Sequence, residues 1–189
     1  VLVANSHPNL LNADQSLIVV IDMQDALLRA MRDAERVTTN TRLLIQGATI
    51  LRIPIVTTTQ NADKLGSLAL PLRAVLPNAQ PPYDKMTFSC LSCVPFASEI
   101  KRSGRKQIVI CGIEAHICVS QTAHELVAAG YQVHLVVDAI SARTDTNIHY
   151  GIEKMKQSGI LVMTTEMALY ELLKQAGTPE FREVLKLVR

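Results

Sequence analysis

Tryptophan is absent from this sequence, and phenylalanine and tyrosine together make up only 4% of its 189 residues. So few scattered aromatics leave no stacking platform for single-stranded bases. Excess charge is missing as well, with 19 lysines and arginines against 17 aspartates and glutamates, so no strong field draws the chain to nucleic acid or to a membrane surface. The longer apolar runs, 17–21 and 133–137, have the length of strands and fall far short of the roughly 20 residues a spanning helix needs. Residues 1–14 show no basic region leading into an apolar one, and no secretory signal is expected there. Neither G-x-G-x-x-G nor G-x-x-x-x-G-K-[ST] occurs, so dinucleotides and nucleoside triphosphates lack their usual phosphate cradle. Cysteine is sparse: Cys90, Cys93, Cys111 and Cys118 fit the reduced thiols of a cytoplasmic protein better than a disulfide scaffold. The expected ligand is a small molecule, bound without a cofactor.

What the chain does have is apolar material in regular bursts. Hydrophobic residues make up 48% of it, enough for one core of ordinary size, and a single domain over 1–189 is expected. Residues 17–21 (Leu-Ile-Val-Val-Ile) form a continuous β-branched run ending at Asp22, as a strand buried on both faces of a parallel sheet would. Helical spacing follows over 33–51, then a strand over 54–58. The stretch 60–83 holds four prolines, Pro71, Pro77, Pro81 and Pro82, and reads as a long surface excursion near a functional face. A helix over 92–102 closed by Gly104 leads into a strand over 107–111. The alternation continues with a helix over 115–129, a strand over 133–137 ending at Asp138, a helix over 144–157, a short strand over 160–163, and helices over 166–175 and 179–188. This pattern predicts a doubly wound α/β fold, a mostly parallel sheet covered by helices on both faces. Ligands in such folds bind at the carboxyl ends of the strands.

Three residues with useful chemistry fall at that edge. Asp22 closes the first strand, Cys118 opens the helix after the strand over 107–111, and Lys85 follows the excursion. Singly, each has an ordinary explanation: aspartates cap helices, lysines are solvated, and cysteines pack as small hydrophobes. Together they supply a nucleophile, a base and a cation. A cysteine in the first turn of a helix faces unpaired N–H groups, which favours the thiolate. Asp22 would take the thiol proton and return it to a leaving amine, and Lys85 would orient the carboxylate.

The segments Val20-Ile-Asp22-Met-Gln24, Lys85-Met-Thr-Phe-Ser89 and Gly112-Ile-Glu-Ala-His-Ile-Cys118-Val, in that order and spacing, resemble the isochorismatase-like hydrolases over about 17–172. This superfamily includes nicotinamidases, N-carbamoylsarcosine amidohydrolase and isochorismatases. The resemblance implies a three-layer Rossmann-like domain, a catalytic triad of Asp22, Lys85 and Cys118, and a cis peptide between Ile113 and Glu114. That bond would turn the Glu114 N–H, with that of Cys118, toward a developing oxyanion. The same resemblance implies a homo-oligomer, and Gln24, Phe88 and the excursion as pocket lining. The branch that cleaves a vinyl ether lacks this cysteine, so Cys118 points to amide or ureido chemistry. Nicotinamidases carry a metal held by an Asp-x-His segment after the second strand. Here that stretch reads Thr58-Thr-Gln-Asn-Ala-Asp63 with no histidine, so no catalytic metal is expected.

Other motifs carry less. Cys90-Leu-Ser-Cys93 is a lone C-x-x-C, half of a zinc site at most. It keeps one rival open, a thiol redox or peroxide-responding protein in which Cys90 or Cys93 resolves an oxidised Cys118. His116 lies two residues from Cys118, off its helical face, and is expected to cap or support the site. Asp138 is expected in a structural network.

Overall fold

Every residue of the run before Asp22 is buried, and the faces alternate as a pleated strand requires: Leu17, Val19 and Ile21 belong to one apolar cluster, Ile18 and Val20 to the other. This strand, β1 (Ser16–Ile21), is central in the computed structural model, which describes residues 7–77 and 81–189. The first six residues of the stretch read above for a secretory signal, and three of the excursion, lie outside the described residues. With β2 (Ile55–Gln60), β3 (Tyr83–Lys85), β4 (Gln107–Ile113), β5 (Gln132–Ser141) and β6 (Leu161–Met163), β1 forms one sheet in the order β3-β2-β1-β4-β5-β6. Every adjacent pair is parallel.

The helices are α1 (Asp25–Leu28), α2 (Ala34–Ile50), α3 (Ala62–Leu65), α4 (Leu70–Arg73), α5 (Val94–Ser103), α6 (Ser120–Ala128), α7 (Asp145–Gln157), α8 (Thr165–Leu173) and α9 (Pro179–Leu187). Val37, Leu44 and Ile45 of α2, Leu169 and Leu172 of α8 and Val184 of α9 build the core on one face. Phe96 and Ile100 of α5, Ala123 and Leu126 of α6 and Met155 of α7 build it on the other. The doubly wound fold expected from the alternation is the fold found. Chain order leaves β1 in one direction for β2 and β3 and in the other for β4, β5 and β6. The reversal falls between β1 and β4, whose carboxyl ends open the crevice where such sheets bind ligands.

Three local differences bear on the site. Tyr83–Lys85 is an edge strand, where the sequence reading had only the end of an excursion; Thr58, Thr59 and Gln60 pair with Tyr83, Asp84 and Lys85. The expected continuous helix over 115–129 begins instead as a π-helical turn, Ala115–Val119, in which the Val119 N–H reaches back to the Glu114 carbonyl at 3.2 Å. The strand expected to stop at Asp138 runs on to Ser141, past a register shift opposite Ile110 and Gly112. The Asp138 carboxylate accepts bonds from the N–H and hydroxyl of Thr165 at 2.8 and 2.9 Å and so anchors the start of α8.

Gly112 accounts for how closely the two central strands end. It has φ +118°, and a Cβ there would stand 2.1 Å from the Ile21 carbonyl oxygen. Only glycine permits that approach, one residue before β1 delivers Asp22.

Candidate active site

At the end of β1 the chain turns sharply, with Asp22 at φ +52°, a left-handed conformation uncommon for a residue with a Cβ. The Asp22 N–H donates to the Thr58 carbonyl at 3.2 Å, and the side chain is fully buried. Each carboxylate oxygen has its own donor: the Thr58 hydroxyl on Oδ1 at 2.7 Å and the Lys85 Nζ on Oδ2 at 2.6 Å. Lys85 is equally buried and spends its other hydrogens on Gln60 Oε1 at 2.7 Å and the Thr87 carbonyl at 3.2 Å. Burial alone would lower the lysine pKa. The charge of Asp22, assisted by the nearby Cys90 and Cys118, outweighs it and holds Lys85 above its ordinary value.

Cys118 enters from the π-helical turn and is 7% exposed. Its thiol is pushed up to about 12, first by burial, then by the negative charge of Asp22, with Lys85 pulling the other way. This reverses the expectation from helix position. Burial beside a carboxylate outweighs the backbone N–H groups of the turn, and the resting group is the neutral thiol.

The peptide between Ile113 and Glu114 is cis, as the resemblance implied, and the Glu114 N–H finds no backbone acceptor among the described residues. The Glu114 side chain is tied to Arg143, whose Nε donates at 3.0 Å. The turn is buttressed from outside by α7, where a Cβ on Gly151 would meet the Cα and N of His116 at 3.2 and 3.3 Å. His116 therefore lies under α7, its Nδ1 buried without a partner among the described residues.

Of the two residues expected to line a pocket, Phe88 is 55% exposed just beyond Lys85, open to a ligand. Gln24 is not. It is fully buried, and its amide is held at both ends: Oε1 accepts the Gln60 N–H at 2.7 Å while Nε2 donates to the Gln60 and Gly66 carbonyls at 3.1 and 2.6 Å. The expectation for Gln24 is corrected, because a fully buried side chain bonded at both ends to backbone groups presents no face to a substrate. Thr58 and Gln60 went unnoticed in the sequence. The signal was present in the polar end of β2, which meets the same sheet edge as Asp22.

Asp63 is exposed on α3, and no group of three His, Cys, Asp or Glu among the described residues stands together as a metal-ligand set. The residues present do not fit the metal of the nicotinamidase branch. All four cysteines are free thiols. Cys90 is buried with its Sγ 3.9 Å from the Thr58 hydroxyl, while the Cys93 thiol points to the Asp84 carbonyl at 3.7 Å. No described helix is long and apolar enough to cross a membrane.

A parallel α/β sheet with a buried thiol, carboxylate and ammonium at its switch point defines the class. Profile comparison gives it a family: the isochorismatase domain matches residues 16–167, and the chain belongs to the isochorismatase family. The secreted isochorismatase effector Isc1 of Phytophthora sojae is 35% identical over 182 residues, 92% of this chain and 84% of the relative. Isochorismatase domain-containing protein 2 of Danio rerio is 33% identical, covering 94% and 89%. Among solved structures, the MAR1 ribonuclease from Caenorhabditis elegans is 34% identical and superposes with a TM-score of 0.89, covering 94% of this chain and 91% of that one. YcaC from Pseudomonas aeruginosa, with covalent acrylamide, is 22% identical with a TM-score of 0.88, covering 97% and 93%. YcaC from Escherichia coli, described as an octameric hydrolase of unknown specificity, is 23% identical with a TM-score of 0.86, covering 97% and 89%. The last two share the fold.

Proposed function

We propose that this chain is a metal-independent cysteine hydrolase that cleaves the C–N bond of a small carboxamide or ureido compound, with Asp22, Lys85 and Cys118 as its catalytic triad. The observation that carries the reading is the buried Asp22–Lys85 ion pair, 2.6 Å apart at the sheet edge, with the buried Cys118 thiol within reach of its charge. In the first step the sulfur attacks the carbonyl carbon as its proton passes to Asp22. The carbonyl electrons move to oxygen, and the oxyanion is met by the N–H groups of Glu114 and Cys118. The tetrahedral adduct collapses as Asp22 returns the proton to the departing nitrogen. Ammonia or an amine leaves and a Cys118 thioester remains. Asp22 then removes a proton from water as it attacks the thioester, and gives that proton to the leaving sulfur. Throughout, Lys85 stays charged and keeps Asp22 oriented.

Peroxide sensing is less well supported. Burial pushes the Cys90 and Cys111 thiols, like Cys118, up to about 12, and a protonated thiol reacts slowly with oxidants. The nematode relative is named a ribonuclease, which makes RNA the alternative substrate. The nearly balanced charge and sparse aromatics favour a small molecule. Homo-oligomerisation, which the octameric E. coli neighbour exhibits, is extended here to this chain and is read by light scattering. A cytoplasmic location is proposed from the free thiols, against the secreted P. sojae relative, and is checked by fractionation.

The test is ammonia release from a panel of carboxamides and ureido compounds by wild type and Cys118→Ala, with RNA cleavage assayed in parallel. Cys118-dependent release supports the reading. Turnover that survives Cys118→Ala, on amide or RNA, would sink it.

A further inference from the structure

Of the polar residues around the triad, Gln60 has the most unusual set of bonds. Its backbone is clamped on both sides by one side chain, since the amide of Gln24 accepts its N–H at 2.7 Å and donates to its carbonyl at 3.1 Å. Its own amide is then fixed at both ends: Nε2 donates to the Met86 carbonyl at 3.0 Å, and Oε1 accepts from Lys85 Nζ at 2.7 Å. Register adds to the fixation, because Gln60 and Lys85 are directly paired across β2 and β3. The amide cannot rotate to present nitrogen to the lysine without setting a donor against a donor and an acceptor against the Met86 carbonyl.

The consequence falls on Lys85. Its Nζ has three acceptors, Asp22 Oδ2, Gln60 Oε1 and the Thr87 carbonyl. A neutral amine has two hydrogens and a lone pair, so it would leave one of these buried acceptors facing a lone pair. The ammonium has three hydrogens and satisfies all of them. No hydrogen remains for substrate.

We propose that Gln60 is a positioning residue that holds Lys85 in its ammonium form against Asp22, with Gln24 as the clamp that fixes Gln60; the proposal rests on the triad reading above. Gln60 touches no reacting atom. It acts through Lys85, whose charge favours both the Asp22 carboxylate and the incipient Cys118 thiolate. Gln60→Met keeps size but deletes the acceptor, so Lys85 should lose its proton at lower pH. Gln60→Glu sets its second oxygen against the Met86 carbonyl, a local cost to packing, but keeps an acceptor at the same reach of Lys85 and should preserve the ammonium.

The experiment follows the rate of acrylamide addition to Cys118 by intact-protein mass spectrometry from pH 7.5 to 10, in a Cys93→Ser background so that the other accessible thiol is silent. Wild type, Gln60→Met, Gln60→Glu and Lys85→Met are compared. The wild-type rate should climb with pH as thiolate accumulates. For Gln60→Met the climb should flatten, and the ratio of wild type to variant should grow from about one at pH 7.5 to about threefold at pH 10, the change expected of roughly one unit of lost Lys85 proton affinity. Gln60→Glu should follow wild type, and Lys85→Met should be slow throughout. A ratio for Gln60→Met that is constant with pH, or a Gln60→Glu variant as impaired as Gln60→Met, would reduce Gln60 to a structural residue and overturn the proposal. If Gln60→Met does not fold, Gln60→Asn, which withdraws the acceptor by one methylene, takes its place with the same expectation. A Lys85→Met profile that matches wild type would overturn the triad itself, and the proposal with it.

Discussion

The two halves of the site are built in opposite ways. The charged half, Asp22 and Lys85, is sealed: both side chains are buried, and Thr58, Gln60 and Thr87 complete the bonds that the pair does not supply to itself. The thiol half sits on a π-helical turn pinned from one side by Gly151 of α7, with the half-exposed Arg143 bonded to Glu114 at its start. One half holds charge where water cannot screen it. The other presents a neutral thiol that becomes charged only when a proton has somewhere to go. Stability and reactivity should therefore separate between them.

Lys85→Met gives the largest expected effect. It leaves the Asp22 carboxylate buried without its cation, which costs about 3–5 kcal/mol, and activity should fall at least about 10³-fold. Cys118→Ala should abolish turnover just as fully while changing stability by about 1 kcal/mol or less. Denaturant melts beside activity assays would show the contrast, and equal destabilisation by the two variants would break it. Next comes Gly112→Ala, whose Cβ would press on the Ile21 backbone and drive β1 and β4 apart where both halves attach. Melting temperature and Cys118 labelling should drop together. Gly151→Ala reaches only the turn that carries Cys118, so labelling should slow several-fold with a smaller loss in melting temperature.

The pH dependence of stability sharpens the same comparison. Burial raises the thiols of Cys90, Cys111 and Cys118 from 9.0 to about 12. Each is protonated in the native state after it has ionised in the unfolded chain, so the unfolded state releases protons first. Their contribution is complete below pH 9 and is lost as pH rises from 9 toward 12. Lys85, also raised, acts in the same direction at the upper end of that window. At the acid side His134 is opposite in sign. It is buried with neither ring nitrogen bonded among the described residues, and burial lowers it from 6.5 to about 4. Its contribution is present above pH 6.5 and is lost as pH falls to 4, about 3 kcal/mol in all. Urea melts across pH 4–7 should show this slope in wild type and lose it in His134→Leu.

The sequence made the βα alternation legible because β1, β4 and β5 are apolar runs that only a two-sided sheet can bury. Asp22 and Cys118 were legible because they end or follow such runs. β3 was not: Tyr83-Asp-Lys85 is three residues long, holds two charges and follows a proline-rich stretch, so neither periodicity nor propensity marks it. Thr58 and Gln60 were hidden for a related reason, since polar residues at a strand end read as a loop until the neighbouring strand is known. Gln24 was read as facing a ligand because its motif lies beside Asp22, whereas its buried amide is bonded at both ends to the backbone. The raised Cys118 thiol was illegible because the first turn of a helix and the burial beside Asp22 act in opposite directions, and only the folded structure sets their relative weight.

The central claim is that Cys118 is a nucleophile activated by a sealed Asp22–Lys85 pair. Intact-protein mass spectrometry after brief incubation with small carboxamides and ureido compounds tests it most directly, with ammonia measured in the same samples. The expected result is a transient acyl adduct on wild type that is absent from Cys118→Ala, accompanied by ammonia release. Ammonia release from Cys118→Ala at the wild-type rate would contradict it.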